Sequence, residues 1–133
     1  MTARVLVVDD EPDVESLFRQ QFRREIRQGL FRWDFALSGE TALDMLNGHA
    51  SEEIILLVAD INMPGMSGLD LLPIVKTHRP DLPVFMISAY SDADAENTAR
   101  ERGADEFHAK PVDLVKLRRD ITTVQADAMR RDA

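Results

Sequence analysis

Short apolar runs alternate with longer segments of helical period along the whole chain. Five apolar runs follow one another along the chain, and each is followed by a helical segment; the runs are RVLVV (4–8), RWDFAL (32–37), IILLVAD (54–60), PVFMIS (83–88) and EFHAK (106–110). This order predicts parallel strands joined by crossover helices. Three runs are nearly continuous in apolar residues, which is typical of strands covered on both faces. The sequence therefore predicts an α/β fold, a doubly wound (βα)5 five-stranded parallel sheet.

The first predicted helix spans residues 13–28 and carries two stripes at helical spacing. One stripe is apolar and is expected to face the core; it consists of Val14, Leu17, Phe18, Phe22 and Ile26. The other repeats arginine every four residues and consists of Arg19, Arg23 and Arg27, with Arg24 beside it. We interpret these arginines as a solvated face, and a contact with an acidic partner is the alternative.

The later helices carry recognisable start and stop signals. The second is GETALDMLN. The third begins at SGLDLL, where Ser67 and Asp70 resemble a capping box, and is expected to end before RPDLP. For the fourth, Ser91 or Asp92 is the expected cap and Gly103 the expected stop. The last begins at about Val112 or Asp113.

The C-terminal tail is longer than a helix needs to be to cover one edge of a small sheet. Its apolar residues recur at three- and four-residue spacing; they are Leu114, Leu117, Ile121, Val124 and Ala128. We interpret them as a core stripe. The alternative is the start of a coiled coil that leads to a homodimer partner or to a downstream domain.

Length, charge and cysteine content limit the classes of function. A chain of 133 residues fits one domain with a single core, and without cysteine it has neither disulfides nor thiolate metal ligands. The N-terminal MTARVLVVDDEPDV excludes a signal-peptide core or a membrane span at that end, so we expect a soluble, cytoplasmic protein without membrane contact. The net charge of -8 argues against direct nucleic-acid binding by the domain as a whole and leaves a local basic patch open.

Polar residues collect where the predicted strands end. The first strand is followed by Asp9 and Asp10, the third ends in Asp60, the fourth in Ser88 and the fifth in Lys110. In a doubly wound parallel sheet the carboxyl ends of the strands share one edge, where ligands bind. We therefore expect these five side chains to lie close together.

Such a group of carboxylates needs a neutralising cation. Two carboxylates about 4 to 5 Å apart repel by a few kcal/mol even at an effective dielectric constant of ~20. Carboxylate oxygens without sulfur or clustered histidine suit Mg2+, with Mn2+ as an alternative, and Lys110 adds a fixed positive charge. A cation, an ammonium and a hydroxyl around one carboxylate are what a phosphoryl group requires.

Each of these residues alone has an ordinary structural explanation. Asp9 and Asp10 could cap the first helix, Ser88 could be a strand-end hydroxyl, and Lys110 could be polar surface at a turn. Asp60 is the hardest to explain in this way, because a carboxylate directly after IILLVA carries a desolvation cost unless it is solvated, paired or metal-bound.

Four segments together resemble the receiver domain of two-component response regulators: VLVVDDEPDV, LLVADINMPGMSGLDLL, VFMISAYSD and GADEFHAKPVDLVKL. The resemblance implies a flavodoxin-like sheet with strand order 2-1-3-4-5. It implies a receiver domain over residues 1–125, with 126–133 extending the last helix as a linker to an output domain. It also implies a phosphoprotein. A sensor histidine kinase or a histidine phosphotransfer protein would supply its phosphoryl group.

The resemblance assigns roles to residues of this sequence. Asp60 would be the phosphoacceptor. Mg2+ would be held by Asp10 and Asp60 through carboxylates, by Asn62 through its backbone carbonyl and by Asp9 through water. Ser88 and Lys110 would bind the phosphoryl group.

Further residues would govern the response. Ser88 and Phe107 would form the conformational switch, and Asn62 and Tyr90 would modulate dephosphorylation. The Lys110–Pro111 peptide is expected to be cis. Two features depart from the family pattern: the segment around RREIRQGLFRWD is longer than usual, and Ala59 precedes the acceptor.

We therefore predict a signalling switch and not an enzyme that acts on an external metabolite. The alternative is an Mg2+-dependent phosphatase or phosphotransferase of the haloacid dehalogenase type, whose aspartate nucleophile lies in a DxDxT motif on the first strand. Here the candidate nucleophile lies on the third strand before INMPG. A degenerate receiver that only binds partners is disfavoured by the intact set of site residues, which is Asp9, Asp10, Asp60, Ser88 and Lys110.

Overall fold

The structure, a computed structural model, describes residues 3–48, 53–89, 93–110 and 113–132. Within these ranges the strands are β1 Arg4–Val8, β2 Arg32–Ala36, β3 Ile54–Asp60, β4 Val84–Ser88 and β5 Glu106–Ala109. The helices are α1 Asp13–Gln21, α2 Arg23–Arg27, α3 Gly39–Leu46, α4 Gly68–His78, α5 Ala93–Glu101 and α6 Leu114–Asp132. The five predicted strands are confirmed with bounds that agree to within one residue.

All five strands pair in parallel in the order β2-β1-β3-β4-β5, as predicted. The register places Val8 opposite Ala59 and Ser88 opposite Ala109. Asp9, Asp60, Ser88 and Lys110 therefore reach the same edge of the sheet, which we call the carboxyl edge.

Apolar layers cover both faces of the sheet, which is why the central strands read as continuous apolar runs. The first core layer lies under α3, α4 and α5 and includes Leu6, Ala42, Leu57, Leu71, Met86, Ala99 and Phe107. The second core layer lies under α1, α2 and α6 and includes Val5, Phe18, Phe22, Trp33, Leu56, Leu117 and Ile121.

The single first helix predicted over residues 13–28 is interrupted at Phe22. Its backbone leaves the helical region, with φ −107° and ψ 23°, and its ring is fully buried. The ring centroid lies 4.9 Å from that of Trp33. Aromatic packing of this size outweighs helix propensity, so the chain bends to keep the ring in the core. Leu17, on the predicted apolar stripe, is 48% exposed and does not join the core.

The predicted helix ends agree with the structure where it describes them. Ser67 and Asp70 form the capping box of α4, and Gly103 lies just past α5 with a positive φ of 107°. Asp113 caps α6 by accepting hydrogen bonds from the backbone N–H groups of Val115 and Lys116. The predicted cap at Ser91 or Asp92 lies outside the described residues.

Helix α6 uses its apolar stripe inside the fold. Leu117 and Ile121 are fully buried and Val124 is 9% exposed, which favours the core-stripe interpretation. Of the helices in the described ranges, none is both apolar and long enough for a membrane crossing.

Candidate functional site at the carboxyl edge

Three aspartates meet at the carboxyl edge of the sheet. Asp60 is 3% exposed and Asp9 is 7% exposed, and Asp10 is half-buried. Each offers a carboxylate oxygen to one group in which these oxygens lie within 4.8 Å of one another. The predicted convergence of the first and third strand ends is confirmed.

Backbone N–H groups hold one oxygen of each buried carboxylate. Asp9 Oδ1 accepts a hydrogen bond from the Glu11 N–H at 2.9 Å, and Asp60 Oδ1 accepts one from the Asn62 N–H at 3.0 Å. Both contacts join residue i to residue i+2, as aspartates do when they turn the chain after a strand. The two carboxylates are therefore fixed by the loops that follow them.

Lys110 faces the other oxygen of both carboxylates. Its Nζ lies 3.4 Å from Asp60 Oδ2 and 3.6 Å from Asp9 Oδ2. Its backbone N–H donates to the Ser88 carbonyl at 2.7 Å, so the lysine is tied to the end of β4. The residue that carries the positive charge is thus held by the neighbouring strand.

Burial and charge shift the pKa values of these groups. Burial raises the pKa of Asp9 and the charge of Asp60 raises it further, although the Glu11 N–H acts in the opposite direction. Burial lowers the pKa of Lys110, but the negative charges of Asp60 and Asp9 outweigh it, so that pKa is raised overall. A raised pKa at Asp9 means that one ammonium does not offset the desolvation and mutual repulsion of the carboxylates.

The donor set fits a divalent cation. Asp9, Asp10 and Asp60 present oxygen ligands without sulfur, at separations that one ion can bridge. Burial, and then repulsion by Asp60, raise the pKa of Asp9, and such an ion would relieve the repulsion. The residues present could therefore hold a hard cation at this edge.

A side-chain contact of Asn62 joins the loops after β3 and β4. Its Oδ1 lies 3.2 Å from the Ala89 N–H and 3.4 Å from Ser88 Oγ, both of which can donate to it. Ser88 is 1% exposed. The sequence predicted roles for Asn62 in metal binding and in dephosphorylation. It did not predict this side-chain contact, because the contact depends on how β3 and β4 pair. An amide two residues after a strand-ending acid is the signal that was available.

Gly68 lies at the end of the loop that follows Asp60, where there is no room for a side chain. A Cβ at this position would lie 2.4 Å from the Asp60 carbonyl oxygen and 2.8 Å from Met86 Cε. Its N–H donates to the Ile61 carbonyl at 3.2 Å. The first residue of α4 thus packs directly on the backbone of Asp60.

Phe107, the predicted switch residue, is 8% exposed and packs in the first core layer. The structure therefore holds its ring in an inward position. Tyr90 and the Lys110–Pro111 peptide, for which the sequence also made predictions, lie outside the described residues.

An apolar hollow of about 300 Å³ opens beside the aspartates. Val14, Leu17 and Leu114 line it together with Asp60 and Lys110. The exposure of Leu17 is explained by this position, since its side chain forms part of the wall of the hollow.

Comparisons with known proteins agree with this geometry. A family model described as response regulator receiver domain matches residues 5–122. Response regulator protein PilR of Pseudomonas aeruginosa is 37% identical over 122 residues, which is 90% of this chain and 25% of PilR. This chain thus spans about a quarter of the length of that relative.

Solved structures extend the comparison. A response regulator receiver protein from Pseudomonas putida superposes with a TM-score of 0.82 at 26% identity, over 92% of this chain and 98% of that one. Response regulator protein TrrA from Thermotoga maritima, solved in complex with Mg(2+)-BeF, superposes with a TM-score of 0.76 at 28% identity, over 92% and 99%. The sequence match, the sheet order and the acidic edge agree: the chain belongs to the response regulator receiver domain family.

Proposed function

We propose that Asp60 accepts a phosphoryl group from a phosphohistidine and that its charge changes the surface around α5 and β5. The observation that carries this proposal is the setting of the Asp60 carboxylate. It is 3% exposed at the end of a buried strand, with the Asn62 N–H on Oδ1 and Lys110 Nζ near Oδ2. Membership of the receiver family removes the haloacid dehalogenase alternative.

The chemistry is a transfer between two nucleophiles. An ionised oxygen of Asp60 forms a P–O bond as the P–N bond of the phosphohistidine breaks, which leaves an acyl phosphate on this chain and an imidazole that takes a proton from solvent. Catalysis of such a step rests on position and charge. Lys110 Nζ lies 3.4 Å from the Asp60 carboxylate and would neutralise an equatorial phosphoryl oxygen.

We propose Mg2+ as the cation, with Mn2+ as an alternative. Asp10 and Asp60 would hold it through carboxylates, Asn62 through its backbone carbonyl and Asp9 through water. When bound, the ion supplies positive charge to the aspartates and to the phosphoryl oxygens. The oxygen-only donor set and the complex of TrrA with Mg(2+)-BeF support this choice.

The response to phosphorylation starts at Ser88. Its hydroxyl lies near Asn62 Oδ1 at 3.4 Å and would turn to the phosphoryl oxygen, while Phe107 holds its inward position. Asn62 and Tyr90 would govern how quickly water removes the phosphoryl group. The domain thus assists its own phosphorylation and dephosphorylation and does not turn over an external metabolite.

The partners follow from the same role. A sensor histidine kinase or a histidine phosphotransfer protein supplies the phosphoryl group, and an output domain or protein receives the signal. We assign residues 1–125 to the receiver and residues 126–133 to an extension of α6 that links to such an output.

Intact-mass spectrometry tests the proposal directly. With Mg2+ and acetyl phosphate, the protein should gain one phosphoryl group. Asp60→Asn should remove that gain, and Asp81→Asn, which changes an exposed carboxylate in the loop before β4, should keep it. Labelling that persists in Asp60→Asn would refute the acceptor, and labelling that a chelator leaves unchanged would refute the metal.

A further inference from the structure

A polar groove of about 580 Å³ runs between α2 and α6. Its lining is Gln20, Gln21, Arg23, Arg24, Glu25, Arg27, Gln28 and Arg118. Four arginines and one glutamate give this arginine groove a positive charge in a chain whose net charge is -8. None of the three aspartates of the carboxyl edge lines it, so the groove is separate from that edge.

Contacts within the fold hold one arginine of the arginine groove, Arg118, in place. Arg118 donates to Glu25 Oε1 at 2.8 Å and to the Gln21 carbonyl at 2.9 Å, and its guanidinium lies 5.1 Å from the centre of the Phe22 ring. The interruption at Phe22 brings these groups together, because it buries the ring under Arg118 and starts α2. Because Arg118 is already held in place, less conformational entropy is lost when a ligand binds.

The remaining arginines of the groove are available for a partner. Arg23, Arg24 and Arg27 are exposed and form no ion pair with any residue that the structure describes. Arg19, which continues their spacing, differs. It pairs with Glu15 at 2.9 Å and lies 5.1 Å from the centre of the Phe35 ring. The stripe predicted from the sequence is thus divided at Phe22 into one arginine with partners on α1 and β2 and three unpaired arginines on α2.

We propose that the arginine groove binds an acidic segment of a partner protein, independently of phosphorylation at Asp60. Arg23 and Arg27 are four residues apart on one face of α2, which places their Cβ atoms about 5 to 6 Å apart. Carboxylates at i and i+4 of a partner helix have the same spacing. Each guanidinium can engage a carboxylate through two parallel N–H donors.

The charge of the whole chain favours a short acidic segment over nucleic acid. A duplex extends well past a groove of this size, so its phosphates would meet the surrounding surface of a chain with net charge -8. A short peptide meets only the groove, because charges farther away than the Debye length of about 10 Å at 0.1 M salt are largely screened. The glutamines of the lining add hydrogen-bond donors and acceptors that suit a peptide.

Fluorescence polarisation with a defined probe tests this inference on the intact chain. The probe is a fluorescein-labelled 12-residue helical peptide with pairs of glutamates at positions i and i+4 along one face. A counterpart peptide carries glutamine at those positions. We expect saturable binding of the acidic peptide that weakens with salt. The triple variant Arg23→Gln, Arg24→Gln, Arg27→Gln should weaken it at least 10-fold.

A matched control separates the groove from net charge. Arg32→Gln, Arg100→Gln and Arg119→Gln remove three exposed positive charges outside the groove and should change the affinity less than 2-fold. Equal weakening by both triple variants, equal affinity for the glutamine peptide, or no saturable binding would overturn the proposal. Tighter binding of a single-stranded oligonucleotide of equal charge would overturn it in favour of nucleic acid.

NMR on the unmodified chain supplies a test that does not depend on how the variants fold. Amide shifts that change with the acidic peptide should fall within residues 20–28 and around Arg118. Shifts confined to the carboxyl edge would contradict the assignment of the groove.

Discussion

The carboxyl edge and the arginine groove concentrate charge in opposite ways. At the carboxyl edge, carboxylate oxygens of three aspartates lie within 4.8 Å of one another. Two of these aspartates are almost completely buried, and one lysine faces those two. In the arginine groove the unpaired guanidinium groups are exposed, and the one fixed guanidinium, that of Arg118, is paired with Glu25.

The charges of the carboxyl edge oppose folding more than those of the arginine groove. Like charges 4 to 5 Å apart repel by a few kcal/mol at an effective dielectric constant of about 20, and burial adds a desolvation cost. Exposed charges are solvated and contribute roughly 0 to 1 kcal/mol each way. Substitutions at the carboxyl edge should therefore change stability strongly and in both directions, whereas those in the groove should change binding alone.

The largest effect is expected at Gly68. In Gly68→Ala the new methyl would collide with the Asp60 carbonyl and with Met86, and overpacking of this kind costs on the order of 3 kcal/mol. Urea denaturation would measure it. Gly48→Ala is the control, since the nearest atom to a Cβ there is 3.4 Å away. A Gly68→Ala protein as stable as Gly48→Ala would show that the loop after Asp60 can shift at little cost.

Next in size is a gain in stability at Asp9. The pKa of Asp9 is raised by burial and by Asp60, so its ionised form opposes folding. Without divalent cation at pH 7, Asp9→Asn should raise the free energy of unfolding by on the order of 1 kcal/mol. The gain is complete above the raised pKa and disappears as pH falls through it towards the ordinary value of aspartate.

Thermal melts from pH 3 to pH 8 with a chelator would measure this gain, with the exposed Asp81→Asn as control. Mg2+ should stabilise the unsubstituted protein more than Asp9→Asn. A loss of stability in Asp9→Asn at pH 7 would mean that repulsion between the buried carboxylates does not oppose folding.

Lys110→Ala is expected to have a smaller effect on stability. It removes the ammonium that faces Asp60 and Asp9, but Lys110 is 30% exposed and solvent screens part of this interaction, so the loss should be about 0.5 kcal/mol. Because the pKa of Lys110 is raised, this contribution is fully present below the ordinary pKa of lysine and is lost only as pH rises through the raised value.

Denaturation with urea at pH 7 would compare Lys110→Ala with Lys116→Ala, an exposed lysine of α6. Equal stability of the two variants would show that the aspartates do not need this ammonium.

The smallest effect on stability is expected for the triple arginine variant of the groove. Each of Arg23, Arg24 and Arg27 is exposed, and substitutions at such positions usually stay within about 0.5 kcal/mol. The variant should therefore melt within about 6 °C of the unsubstituted protein while it loses the acidic peptide. A much lower melting temperature would mean that these arginines support the fold.

The sequence predicted those parts of the molecule that depend on local pattern. Strand bounds followed from apolar runs, and the capping box at Ser67 followed from residue types three positions apart. The convergence of Asp9, Asp60 and Lys110 followed from the geometry of parallel sheets. These features depend on neighbours along the chain or on a rule that holds for every parallel sheet.

The features that the sequence did not predict depend on packing between distant segments. The bend at Phe22 follows from its contact with Trp33, and the exposure of Leu17 follows from the hollow beside Asp60. The contact of Asn62 with Ala89 requires the pairing of β3 with β4, and the tight fit at Gly68 requires the position of α4 on that pair. A periodic pattern carries none of this information.

Strand β5 sends consecutive side chains to opposite faces of the sheet. Phe107 packs in the first core layer, whereas His108 packs near Phe85 with its Nε2 3.3 Å from Asp120 Oδ2 on α6. Burial lowers the pKa of His108, which favours the neutral form of its ring at pH 7. A displacement of β5 that starts at Lys110 would therefore alter the imidazole resonances of His108, a label-free signal on the face of the sheet opposite Phe107.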